Sequence, residues 1–298
     1  MKTDTLHTAD HAIEIRGLRK HYPGFNLGPI DLNVPKGSIF GFVGPNGAGK
    51  STTIDLMFGM GRGDAGAIRM LGLNAVTDEV AVKSRAAYVG PELDYRAWGK
   101  IAKAIRFVRG FYRDTWDDAY CEQLLDRFKL DSNDKIATLS FGSRTKLALV
   151  IALSRRPELL VLDEPTVGLD AIAKRELFVA LLDLVKDTGH TILISSHNLS
   201  DVERFADHVA IINDGLILHA GPMDDVIEPF CIADFILAED KPLVSENGIT
   251  VIMRQGTRAR VLVDRKLAGL ENLAAAGARD LTHCTVNLEE LFISLLSK

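Results

Sequence analysis

The run Gly44-Pro45-Asn46-Gly47-Ala48-Gly49-Lys50-Ser51 constrains this chain more than any other stretch of it. It fits the spacing G-x-x-x-x-G-K-[ST], and it lies between an apolar segment, Ser38 to Val43, and a helical pattern that continues through Thr52, Thr53, Ile54, Leu56, Met57 and Phe58. The spacing therefore predicts a strand, a phosphate-wrapping loop and a helix in that order. Glycines lack Cβ atoms, so the backbone can close around a phosphate and aim successive N–H groups at it, and the following helix adds the positive end of its dipole. Lys50 is then expected to reach β- and γ-phosphates and the Ser51 hydroxyl to suit Mg²⁺, with Thr52 beside them. A nucleoside triphosphate is the implied ligand.

Such a loop serves kinases, GTPases and mechanical ATPases alike, so the rest of the sequence has to decide. Leu159-Leu160-Val161-Leu162-Asp163-Glu164 reads as a buried strand that ends in two acids, the place where an open α/β sheet presents groups to a ligand. Acids there are costly unless they are used. Asp163 is expected to hold Mg²⁺ through water, and Glu164 to polarise the attacking water as a general base.

Composition bounds the remainder. The chain has 298 residues, 47% of them hydrophobic and 25% charged, which is enough for more than one compact core. A formal charge of −5 gives no basic footprint for nucleic acid. Cys121, Cys231 and Cys284 are too scattered for a disulfide framework or a zinc site, consistent with a reducing compartment. No apolar stretch approaches the roughly 20 residues needed to cross a bilayer. Residues 13–43 read as short strands and turns, about 92–155 as a helix-rich insert, and about 226–298 as a small α/β appendage with strands at 249–253 and 259–263 and a helical stripe through Leu288, Leu291, Phe292 and Leu295. The nucleotide-binding part is placed at 1–225. The appendage reads either as packing or dimer support or as a sensing module; no ligand motif decides between them.

Further motifs agree in order. Leu139-Ser140-Phe141-Gly142-Ser143 precedes a helical run, Pro165-Thr166-Val167-Gly168-Leu169-Asp170 follows the acidic strand, and Ser195-Ser196-His197 ends the apolar run 191–194. With these, residues 11–222 resemble the ATP-binding subunit of ABC transporters, and the pattern from Leu139 to Leu147 is most similar to bacterial ABC-2-type export ATPases. The resemblance implies a P-loop ABC ATPase core with an N-terminal β subdomain and a helical subdomain, binding ATP and Mg²⁺. It makes His197 a switch histidine, although an ordinary interior histidine remains an alternative for that residue. It makes Tyr22 an adenine-stacking aromatic, although Tyr22 could merely pack the turn at Pro23-Gly24. It implies that Ser140 and Gly142 form an anion site for the γ-phosphate of a facing protomer, and that Asp170, in the stretch that matches the family's D-loop, is a nucleotide-binding residue. The partners implied are a second ABC ATPase, in a homodimer or heterodimer, and an integral-membrane permease, with the subunit peripheral on the cytoplasmic face.

Two departures stand out. Phe141 replaces the first of two glycines in the signature loop and is expected to restrict the loop or change its packing. The strand through Tyr88 and Val89 is followed by Gly90-Pro91-Glu92-Leu93-Asp94, where the family normally carries a glutamine. Glu92 is the substitute Mg²⁺ ligand this suggests, with a solvent-facing glutamate as the alternative. A rival class, ABC ATPases acting on DNA or the ribosome, is disfavoured because the chain has neither a long coiled-coil insert nor a second cassette.

Overall fold

The computed structural model describes residues 10–91, 96–237, 248–275 and 277–296, which separate into two compact units. The first comprises Met1–His197 and Phe205–Leu218. In chain order it runs β1 (His11–Tyr22), β2 (Phe25–Pro35), β3 (Ile39–Val43), α1 (Lys50–Met57), β4 (Ala65–Met70), β5 (Leu73–Asn74), α2 (Glu79–Arg85) and β6 (Ala86–Val89). The helical stretch follows as α3 (Ile101–Phe111), α4 (Asp118–Phe128) and α5 (Phe141–Leu153). The chain then re-enters the sheet through β7 (Leu159–Asp163), α6 (Ala171–Thr188) and β8 (Thr191–Ser196). It ends with β9 (His208–Asn213) and the first half of β10 (Leu216–Pro222), while α7 (Leu199–Phe205), between β8 and β9 in sequence, falls in the second unit up to Arg204.

The strands and turns expected at 13–43 are three strands: β1 and β2 form one long hairpin closed by Pro23-Gly24, and β3 leaves it for a second sheet. Gly17 falls at an irregularity in the ladder, where the register shifts between Ile15 and Leu18. This hairpin joins β4 and β5 in a sheet of order β2-β1-β4-β5.

A second sheet has the order β10-β9-β3-β8-β7-β6, and β3, β6, β7, β8 and β9 pair in parallel. Parallel strands covered on both faces read as unbroken apolar runs, and β3, β7 and β8 are buried at every residue. Strand alternation sends their side chains to two different cores. Leu160, Leu162, Ile192 and Ile194 join Leu147, Leu177 and Leu181 of α5 and α6. Leu159, Val161, Leu193, Phe40 and Phe42 join Ile54 and Met57 of α1 and the inner residues of the hairpin. Each such leucine or isoleucine contributes about 1.5–3 kcal/mol of burial, so the strand ends that carry the acids rest on a stiff support.

The second unit comprises Asn198–Arg204 and His219–Lys298. After α8 (Met223–Ile227) it contains β11 (Phe230–Leu237), β12 (Ile249–Gln255), β13 (Arg258–Asp264), α9 (Leu270–Ala275), β14 (Ala278–Thr285) and α10 (Leu288–Leu296). Its sheet is antiparallel in the order β12-β13-β11-β14, over a core of Cys231, Ala233, Phe235, Val261, Val263 and Leu273. Among the described residues, no helix is long and apolar enough to cross a membrane.

Candidate nucleotide site

Parallel register brings three strand ends together. Val43 of β3 lies opposite Ser196 of β8, and Asp163 of β7 lies opposite Ser195. The phosphate loop, Glu164 and His197, each the continuation of one of these strands, therefore leave from one edge of the sheet.

The loop has to pass close to β9 as it leaves. A Cβ on Gly44 would collide with the Ile212 carbonyl oxygen, so only glycine lets the backbone through. The turn is held by Ala48 N–H donating to the Pro45 carbonyl (3.2 Å) and by Gly215 N–H donating to the Ala48 carbonyl (3.0 Å). Gly49, at φ 109°, starts α1. The result is a cleft of about 490 Å³ lined by Pro45, Asn46, Gly47, Gly49, Lys50, Ser51 and Thr52, with Gly24 and Phe25 on one flank and Glu164 on another.

Lys50 is only 6% exposed. Its ammonium donates to the carbonyls of Gly44 (2.7 Å) and Pro45 (3.1 Å) and lies 3.6 Å from Glu164 Oε1. A buried ammonium needs acceptors, and these hold it in the cleft. Glu164 adopts φ 53°, a left-handed conformation that non-glycine residues keep only when their surroundings enforce it. The enforcement comes from Ser195: Glu164 N–H donates to the Ser195 carbonyl (3.2 Å) and to its Oγ (3.2 Å). The Ser195 hydroxyl in turn donates to Asp163 Oδ1. Glu164 Oε2 contacts His197 Nδ1 at 2.7 Å and accepts a longer bond from the His197 backbone N–H at 3.4 Å. Glu164 Oε1 is buried and, among the described residues, has no hydrogen-bond partner.

These features fit a magnesium triphosphate. A glycine cradle without side chains, a buried ammonium and a carboxylate oxygen that faces this ammonium but accepts no hydrogen bond from the described residues together accommodate phosphate oxygens and a water. Asp163, 2% exposed, and the exposed Ser51 offer hard oxygen donors. Among the described residues, no cluster of three His, Cys, Asp or Glu side chains could hold a metal alone. A cation here would draw most of its shell from phosphate and water, as Mg²⁺ does.

The remaining residues singled out in the sequence are distributed as follows. Ser140 caps α5 by accepting from Ser143 N–H (3.1 Å), and Gly142 backs onto the Gly168 carbonyl. Asp170 caps α6 by accepting from Ala173 N–H (2.8 Å); that bond, with Lys146 nearby, holds its carboxyl below the usual carboxylate range. Tyr22 is 39% exposed, pairs with Phe25 across the hairpin and carries Lys20 Nζ 5.5 Å from its ring centroid, but it does not line the cleft. Phe25 does line it. Glu92 lies outside the described residues. Sequence reasoning gave no role to Ser195, whose signal was a hydroxyl directly after the apolar run Ile192–Ile194 in a strand buried at every residue, where a polar group must find partners.

The fold and the cleft define a P-loop nucleoside triphosphatase. Comparison with known proteins narrows the class. A protein-family model described as ABC transporter matches residues 27–167. The ABC transporter ATP-binding protein YtrB of Bacillus subtilis (strain 168) is 29% identical over 288 residues, covering 95% of this chain and 97% of that protein. The daunorubicin resistance ATP-binding protein DrrA3 of Streptomyces coeruleorubidus is 32% identical over 223 residues, covering 73% and 70%. A solved structure of the ATP-binding subunit of an ABC transporter superposes with a TM-score of 0.66 at 29% identity, covering 72% of this chain and 91% of that one. The chain belongs to the ABC transporter family, as one of its ATP-binding ATPases.

Proposed function

We propose that this protein is the engine subunit of a membrane exporter: two ATPase subunits, identical or paired with a second cassette, close on Mg-ATP at the cytoplasmic face of a separate permease and part after hydrolysis. The observation that carries the reading is the position of Glu164, fixed at the mouth of the phosphate cleft between Lys50 and His197. Mg-ATP, when bound, supplies the γ-phosphoryl group that water attacks. Lys50 neutralises phosphate charge from its seat on the Gly44 and Pro45 carbonyls. Ser51 and Asp163 would hold the cation, and Glu164 Oε1, free of other hydrogen bonds, takes the proton of the water. His197 orients that carboxylate through Oε2. The exposed Tyr22 gives adenine a stacking face, supported by its pairing across the hairpin with Phe25, which lines the cleft. Ser140 and Gly142, at the start of α5, and Asp170, at the start of α6, serve the nucleotide of the facing protomer.

Glu92 is proposed as a further oxygen ligand for the cation. Its support is that β6 ends beside β7, with Val89 opposite Leu162, so the chain approaches residue 92 from the strand end next to Asp163. Outward transport is supported by the resemblance to DrrA3, which is named for resistance to daunorubicin. Residues 226–298 are proposed as an accessory domain that supports the dimer.

Co-expression with the multi-span membrane protein encoded beside it tests the proposal. The two should copurify in detergent, and ATPase activity should rise on assembly. A subunit that purifies alone and binds DNA or ribosomes instead would contradict the transport reading.

A further inference from the structure

We infer that Phe141 is a positioning residue for hydrolysis: its ring, seated on Gly168, couples the start of α5 to the turn that begins at Glu164. The inference rests on the base role proposed for Glu164. Two loops interlock here. A Cβ built on Gly168 would collide with Phe141 Cδ1 and lie 2.9 Å from its Cε1. A Cβ on Gly142 would lie 2.7 Å from the Gly168 carbonyl oxygen. Each approach is to the other loop, so the first turn of α5 and the backbone at Gly168 fit as a single block.

The path from Gly168 back to Glu164 is short and hydrogen-bonded. Leu169 N–H donates to the Thr166 carbonyl (3.3 Å), and Val167 N–H donates to the Glu164 carbonyl (3.2 Å). Beyond Gly168 the segment is tied down again where Asp170 caps α6. Glu164 itself sits at φ 53°, so its backbone is set by what surrounds it. A ring wedged against the middle of this segment limits how far the turn can shift, and with it the carboxylate.

The ring is 44% exposed, which separates this role from ordinary core packing. Trimming a half-exposed side chain seldom changes stability much. Its effect should therefore appear in turnover. An ångström of misplacement of a catalytic group costs up to about 100-fold in rate, so a loss on the order of tenfold is expected here.

The test is a double-mutant cycle on the full-length protein, with steady-state ATPase kinetics, direct ATP titration and thermal melting run in parallel. Phe141→Ala should lower kcat about tenfold while ATP affinity and melting temperature stay near wild type. Phe141→Leu, which refills the space, should recover most of the rate. Gly168→Ala breaks the same contact from the other side and adds backbone strain of its own at φ 73°. The cycle removes that strain, and Phe141→Ala should cost little more once Gly168 is already Ala. Wild-type kcat for Phe141→Ala, or fully additive losses, overturns the inference. If Phe141→Ala fails to fold, Phe141→Val, which stays apolar but carries no ring to reach Gly168, replaces it in the cycle and reads the same coupling. Glu164→Gln is assayed alongside. An inactive Glu164→Gln with additive Phe141 and Gly168 losses removes only the positioning role, whereas wild-type turnover by Glu164→Gln removes the base assignment and this inference with it.

Discussion

His197 Nδ1 lies 2.7 Å from Glu164 Oε2, the shorter of the two contacts His197 makes with that carboxylate. The other, from the His197 backbone N–H, is 3.4 Å long and close to the limit of a useful bond. His197→Ala should therefore release the Glu164 side chain without touching the phosphate loop. Turnover should fall about 100-fold, within the range for loss of acid–base organisation, with ATP affinity changed less than about threefold. Parallel kcat and calorimetric measurements check this; a weakened affinity at unchanged kcat would place His197 on the nucleotide instead.

Lys50 makes the opposite prediction. Its ammonium bonds two loop carbonyls and faces the cleft, so it supports binding directly. Lys50→Ala should weaken Mg-ATP binding by at least about tenfold, the scale of a lost charge-assisted hydrogen bond. Unchanged affinity in a direct titration would remove it from the phosphate site.

Ser195 is fully buried and bridges both acids, donating to Asp163 and accepting from the Glu164 backbone. Ser195→Ala leaves a buried carboxylate oxygen and a backbone N–H less well satisfied, at a cost of about 1–3 kcal/mol. Activity should drop along with stability. Urea unfolding and kcat measured on the same sample check this, and a variant that is slower but equally stable would mean that the bridge positions without stabilising.

The strand, loop and helix around Lys50 were legible because one motif fixes residue types at set spacings and demands that order of elements. The edges of β7 and β8 were legible because buried parallel strands leave unbroken apolar runs. Pairings decided by register were not. Phe25 lines the cleft and Tyr22 does not, a distinction set by how β1 pairs with β2 and by no local pattern. Strand β14, Ala278–Thr285, is largely exposed, so it has no alternation to read, and β11 at the centre of its sheet is recognisable only once its neighbours are known. The role of Ser195 depends on Asp163, 32 residues away in sequence.

An acid-sensitive contact lies in the helical stretch. Asp117 accepts from Tyr120 N–H (2.8 Å) and takes Arg156 at 3.0 and 3.1 Å, while the Arg156 guanidinium lies 3.7 Å from the Tyr120 ring centroid. The Tyr120 N–H bond first, and Arg156 with it, hold the Asp117 carboxyl below the usual carboxylate range against the opposing effect of burial. Because the folded pKa is the lower one, the stabilisation is fully present above the unfolded value, about 3.9, and is lost as pH falls through the folded value. Asp117→Ala should cost about 1 kcal/mol at neutral pH, the usual worth of a helix cap. Urea titrations at pH 7 and pH 3 should show that difference shrinking in acid; a constant difference would contradict the charge-based account.

The central claim is that Glu164 is the base of a site completed by a second protomer. Glu164→Gln keeps the size of the side chain and removes its ability to accept the proton, and light scattering with radiolabelled ATP reads both halves of the claim at once. The account predicts a protein that holds ATP without turnover and shifts from monomer to dimer when Mg-ATP is added. A Glu164→Gln protein that hydrolyses ATP at the wild-type rate, or that binds ATP and stays monomeric, would contradict it.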